Sequence, residues 1–280
     1  MPLLTIDDGE VYYEVLGGGP PLLLLPGLGR GTSYYDLVTP FLSDKFQVIR
    51  VDPRGIGRSS RGPLPYTFER WSDDFARILE KLQISTTAVV GCSQGAAMAM
   101  HLADRHPDRV KSLVLIGAFA TIDRFIEINV ALRMTLARKL GLGEEMRDFV
   151  ALWTFGHELL DKPGADKLLN AGLNAIKEHT PENYIALCQS LLDWGHRKPS
   201  FLERLRYIRK PTLVACGSND YWIPAKFSRQ VAESIPGARY VEMKDCGHVP
   251  VREQPDASAK MIAAFCSDPV ADDVLASVHR

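Results

Sequence analysis

The chain has 280 residues, 46% of them hydrophobic and 24% charged, with a formal net charge of −1. That composition allows a full α/β core, and its balanced charge leaves no basic stripe for nucleic acid and no basic run for an anionic membrane surface. Cys92, Cys188, Cys216, Cys246 and Cys266 are odd in number and lack C-x-x-C spacing, which argues against a disulfide framework or a zinc site and for a reduced, cytoplasmic protein. The opening MPLLTIDDGE has neither the basic nor the apolar region of a secretory signal, and apolar runs such as LLLL at 22–25 are far too short to span a bilayer.

In chain order, residues 1–16 predict a hairpin: LLTI, a turn at Asp7-Asp8-Gly9, then EVYYEVL. The glycines and prolines at 17–21 break the chain. LLLL then reads as a strand buried on both faces, 33–43 as a short helix and FQVIRV (46–51) as the next strand. Residues 67–83 place Trp71, Phe75, Ile78, Leu79 and Leu82 at helical spacing. TAVV (87–90) is a strand, 95–105 a small-residue helix and SLVLIGA (112–118) a further strand.

This alternation predicts βαβ units and a mostly parallel sheet. From about 120 to 205 the strands stop, and RFIEINVALRMTLARKL, EEMRDFVALWTFGHELL and ENYIALCQSLLDW read as helices. Alternation resumes with PTLVACG from 211, a helix near 225–234, ARYVEM (238–243) and a last helix at about 255–266; a loosely held tail is expected from 268. The expected division is a core of 1–119 and 206–280 with a helical insertion at 120–205.

Residues 91–95, GCSQG, fit G-x-S-x-G, placed between a strand and a helix as a nucleophile elbow requires. At the apex of such a turn Ser93 projects, with glycines on either side where side chains would collide. Cys92, one position earlier, is expected to pack as a small buried hydrophobe. A serine becomes a nucleophile only with a base on its proton and donors for the oxyanion that forms. Asp220 in GSNDYWIP and His248 in DCGHVPVREQP each follow a strand, hence lie on one edge of the sheet, and occur in the order Ser, acid, His. Asp220 would hold the imidazole tautomer and leave Nε2 to take the proton of Ser93.

With these segments the chain resembles the α/β-hydrolase superfamily over nearly its whole length. DPRGIGRSS (52–60) is similar to that family's D-x-R-G-x-G-x-S segment, GSNDYWIP to its acid loop and CGHVPVREQP to its histidine loop. Arg54, Gly55 and Gly57 are read as turn architecture. The resemblance implies that the backbone amides of Leu28, in PGLG, and of Gln94 form the oxyanion hole, each donor being worth about 3 kcal/mol in the transition state. Pro26 stands where many members carry His, a change that spares the backbone donor.

The resemblance further implies a cofactor-free serine hydrolase of small, largely apolar esters or lactones, close to the esterases and enol-lactonases of the group. Carbon–carbon hydrolases of ring-cleavage products and slow-turnover ligand receptors share the scaffold and are the alternatives. Ser93 excludes the dehalogenases and epoxide hydrolases that use Asp at that position, and Val249 stands where carbon–carbon hydrolases often carry Trp. Tyr35, Phe119, Trp153, Trp194, Trp222 and Val249 are the expected pocket walls, with Tyr34 and Phe155 beside them. No acidic or basic cluster in 120–205 announces a charged substrate. No metal, nucleotide, nucleic acid or membrane partner is expected, and the oligomeric state stays open.

Overall fold

The computed structural model describes residues 3–269. Its sheet has eight strands: β1 (Leu3–Ile6), β2 (Gly9–Leu16), β3 (Pro21–Leu25), β4 (Gln47–Asp52), β5 (Thr87–Cys92), β6 (Val110–Ile116), β7 (Thr212–Gly217) and β8 (Arg239–Met243). Their spatial order is β1-β2-β4-β3-β5-β6-β7-β8. The β1–β2 hairpin runs antiparallel and joins β4 antiparallel, whereas every pair from β4 to β8 is parallel. The chain steps from β3 out to β4 and back to β5 on the other side of β3, which makes the crevice beyond the β3 and β5 C-termini the topological switch point of the sheet.

Parallel strands are covered on both faces, and the sequence supplies apolar residues for both. Leu23 and Leu25 belong to one core cluster and Leu22 and Leu24 to the other, the period-2 split of a pleated strand. The first face carries α2 (Phe68–Lys81), α3 (Gln94–Arg105) and α9 (Ala225–Ser234); the second carries α1 (Thr39–Ser43) and α11 (Pro255–Ser267). The α2 helix starts where the Thr67 side chain accepts the Arg70 amide and buries Trp71, Phe75, Ile78 and Leu79 on one stripe. Each such side chain contributes roughly 1.5–3 kcal/mol by leaving water.

Between β6 and β7 lie α4 (Arg124–Leu140), α5 (Glu144–Thr154), α6 (His157–Leu160), α7 (Ala165–Lys177) and α8 (Pro181–Gly195). Helix α4 packs on α8, and α5 on α7. The single pattern read over 144–160 is broken at Phe155–Gly156, where both residues take extended backbone. Helix α7 was not foreseen, and the helix read at 33–43 is a 3-10 turn (Thr32–Tyr35) followed by α1, with Pro40 in the first turn of that helix. A one-turn helix, α10 (Pro250–Glu253), follows the histidine loop. The tail expected from 268 lies, from residue 270 on, outside the described residues. No helix among the described residues is long and apolar enough to cross a membrane.

Candidate active site

Ser93 sits between β5 and α3 with φ 57° and ψ −120°, a left-handed conformation that non-glycine residues rarely hold. Close approach on either side enforces it. A Cβ on Gly91 would lie 2.2 Å from the Gly95 carbonyl oxygen, and one on Gly95 would lie 2.1 Å from that of Leu25. The Ser93 amide donates to Ile116 O at 2.8 Å, which ties the turn to β6. The elbow is thus a geometric consequence of glycines two residues either side of the serine.

Asp220 follows β7 and His248 follows β8, and both are buried. His248 Nδ1 stands 2.7 Å from Asp220 Oδ2, while Asp220 Oδ1 accepts the amides of Trp222 and Ile223 at 3.0 and 2.7 Å. His248 Nε2 is buried and has no hydrogen-bond partner among the described residues. Ser93 and His248 line one cavity. A Cβ on Gly117, at φ +57°, would meet the His248 ring at 2.9 Å, so glycine there makes room for the imidazole. The His248 amide donates to Thr154 O at 2.8 Å, which anchors the histidine loop to the end of α5.

Glu253 organises the same loop. Its carboxylate accepts the amides of Gly156, Gly247 and Val249 at 3.0, 2.9 and 3.1 Å. Burial raises its pKa, and the three amides act in the opposite direction. The DPRGIGRSS segment is architectural, as its glycines imply. Asp52 accepts the amides of Thr32 and Arg58 at 2.6 and 3.0 Å, and a Cβ on Gly57 would collide with that carboxylate at 2.5 Å. Arg54 forks onto the Asp74 carboxylate at 2.8 and 3.0 Å. Through Thr32, Asp52 fixes the loop after β3 that carries Leu28.

The Leu28 and Gln94 amides donate to no protein acceptor among the described residues, and Leu28 lines the cavity. Gln94 is the first residue of α3, whose leading amides lack intrahelical acceptors. Cys92 is fully buried on the strand side of the turn. Its thiol accepts the Tyr34 hydroxyl at 3.0 Å, and burial pushes its pKa up to about 12.

The expected pocket walls separate into three groups. Trp222 and Val249 line the cavity. Tyr35, Phe119 and Trp194 do not: Tyr35 donates to Leu25 O at 2.8 Å from inside the core, and Phe119 packs edge-on against Trp194. Trp194 in turn donates to His101 Nε2 at 2.8 Å. Trp153 stacks edge-on with Phe125 and lines a separate outer groove with Leu152 and Tyr221. Aromatic content alone cannot distinguish these cases, because helix–sheet contacts and cavities draw on the same residues.

Tyr34 and Phe155, expected beside those walls, line the cavity, and the walls unforeseen from sequence are Val150 and Ile176 from α5 and α7 and above all Arg30, Arg133 and Arg252. The cavity has a volume of about 50 Å³, room for a few water-sized groups. Only Arg133 belongs to 120–205, where no basic cluster was expected; the cluster forms where it meets Arg30 and Arg252 of the core. The three arginines come from the β3 loop, α4 and α10, too far apart in sequence to form a visible run.

The sequence profile of the α/β-hydrolase fold matches residues 20–255, and the chain belongs to that family. Relatives include a candidate carbamate hydrolase, RutD, of Azorhizobium caulinodans, 29% identical over 96% of this chain and 99% of its own. A pimeloyl-[acyl-carrier protein] methyl ester esterase of Aromatoleum aromaticum is 29% identical over 87% of this chain and 96% of its own. The enol-lactonase of Burkholderia xenovorans LB400 superimposes with a TM-score of 0.86 at 26% identity, covering 95% of this chain and all of the other.

Proposed function

We propose that the protein is a cofactor-free serine hydrolase that cleaves small esters or lactones through an acyl-enzyme. One observation carries this reading: the strained Ser93 shares a cavity with His248, whose Nδ1 is held by Asp220 and whose Nε2 is free of other partners. Carbamate, methyl ester and enol-lactone, the substrates in the names of the similar proteins, all present a carbonyl with a heteroatom leaving group.

In this mechanism Ser93 Oγ attacks the carbonyl carbon as His248 Nε2 takes its proton. The Leu28 and Gln94 amides receive the oxyanion. Collapse expels the alkoxide, which takes the proton from His248. Water, deprotonated by the same nitrogen, then adds to the acyl-enzyme and releases the acid with Ser93 restored. Asp220 stabilises the imidazolium formed at each step. Residues 120–205 act as a cap: Arg133, Val150, Thr154, Ile176 and Tyr184 roof the cavity.

The deciding experiment is pre-steady-state and steady-state hydrolysis of short p-nitrophenyl esters and simple lactones by wild type and Ser93→Ala. Sustained turnover lost in a folded variant supports the mechanism. A single burst, or turnover that survives the substitution, overturns it, the former in favour of a slow receptor on the same scaffold.

A further inference from the structure

Arg30, Arg133 and Arg252 all line the cavity that holds Ser93 and His248, and no Asp or Glu lines it with them. Elsewhere in the protein the buried Arg54 is neutralised by Asp74 and Asp8, and the partly buried Arg50 by Glu14 and Asp36. The cavity arginines have no such partner. Among the described residues, the Arg252 guanidinium makes no hydrogen bond or ion pair, and that of Arg30 donates only to Gly172 O, at 2.8 Å through Nη1. Arg133 is 5% exposed; its Nε donates to Asn129 at 3.0 Å, its plane lies 3.8 Å over Trp222, and its Nη2 is buried without a partner.

Burying one unpaired cation is costly, and placing like charges around one cavity adds repulsion. Both effects register on Arg30: burial first, then Arg252, lower its pKa to about 10. Burial also lowers that of Arg252. A pKa of about 10 still leaves Arg30 a cation at neutral pH. A fold retains such an arrangement at little functional cost only if an anion completes it.

We infer that the substrate carries a carboxylate, seated among Arg30, Arg133 and Arg252 while its ester or lactone carbonyl faces Ser93. This assignment rests on the serine-hydrolase reading and narrows it, replacing the expected largely apolar substrate with the half-ester of a short dicarboxylic acid or a lactone bearing an acid group. Arg252 offers a complete fork, whereas Arg30 and Arg133 offer their remaining edges. That donor set suits the two oxygens of a carboxylate, the planar partner of guanidinium. Val150, Phe155 and Ile176 supply apolar wall for the short chain linking the two ends.

The test compares kcat/KM for monomethyl glutarate and dimethyl glutarate in wild type, Arg252→Gln and Arg133→Gln. The half-ester is expected to be preferred at least tenfold by wild type, with the preference collapsing toward unity in both variants through KM. The ratio is the readout, and Arg252, which is less buried than Arg133, keeps the test available should Arg133→Gln fail to fold. Equal turnover of the two esters by wild type, or a ratio unchanged in a folded Arg252→Gln, overturns the carboxylate assignment while the hydrolase reading stands. If neither ester is turned over, the hydrolase reading is what fails. Carboxylate binding is then read from thermal shifts of Ser93→Ala, where monomethyl glutarate should stabilise and dimethyl glutarate should not. Greater stabilisation by inorganic phosphate than by monomethyl glutarate would overturn the assignment.

Discussion

Asp220 presents its two oxygens to different tasks: Oδ2 stands 2.7 Å from His248 Nδ1, and Oδ1 accepts two amides of its own loop. The loop and the imidazole are thereby fixed by one side chain. In Asp220→Asn the amide oxygen can keep the loop contacts while the NH2 group turns toward His248. An NH2 donor forces Nδ1 to accept, so the proton moves to Nε2, the wrong tautomer for a base facing Ser93. We expect kcat for ester hydrolysis to fall on the order of 10³–10⁴-fold with a nearly unchanged melting temperature. A loss matched by unfolding would assign Asp220 a structural role instead.

The elbow predicts a sharp contrast between two glycines. Gly95→Ala would place a Cβ 2.1 Å from one backbone carbonyl oxygen and 2.6 Å from a second, neither of which can swing aside like a flexible side chain. A cost of roughly 3 kcal/mol or more is expected, in the range of severe overpacking. A Cβ on Gly18 meets nothing within 4 Å, and Gly18→Ala should be neutral. Urea unfolding of the two variants beside wild type checks both.

Cys92 and Ser93 are chemically distinct despite being adjacent. Burial holds the Cys92 thiol near pKa 12, and the same cause raises the other four cysteines. The folded protein should therefore resist iodoacetamide at pH 7.5, whereas all five thiols react in denaturant. Cys92→Ala should retain hydrolysis, losing about 1 kcal/mol of stability as the Tyr34 hydroxyl loses its acceptor. Rapid labelling of the native chain would contradict this account.

Much of the fold was legible because its signals are local. Strands buried on both faces are short apolar runs, and α4 coincides with the pattern read at 124–140. Ser93, Asp220 and His248 could be placed because each follows a strand, and parallel strands deliver their C-terminal ends to one edge. The cavity wall was not legible. Trp194 and Trp222 have the same composition and opposite fates, one held in the core by His101 and the other facing the cavity. The three arginines converge only through tertiary structure, since Arg30 and Arg252 flank the sheet edge and Arg133 reaches it from α4. Phe155–Gly156 escaped notice because its extended backbone is set by Glu253, which accepts the Gly156 amide from across the fold.

His101 makes stability depend on pH in a definite direction. It lies on α3, stacks on Phe201 with ring centroids 4.0 Å apart, and accepts the Trp194 indole N–H from α8. An acceptor nitrogen must be unprotonated, and burial lowers the pKa to about 3 despite the opposing pull of Glu69. In the unfolded chain the imidazole titrates near its ordinary value of about 6.5. Above that pH both states are neutral and the contribution is complete. As pH falls from 6.5 toward 3, the unfolded chain takes a proton that the folded one refuses, and stability drops by up to about 1.4 kcal/mol per pH unit. His101→Gln keeps an acceptor for Trp194 without the titration. Its urea midpoint should be lower than that of wild type at pH 7.5, yet fall less between pH 7.5 and pH 5. An equal fall in both proteins would place the acid sensitivity elsewhere, and the α3–α8 contact would then be merely one of packing.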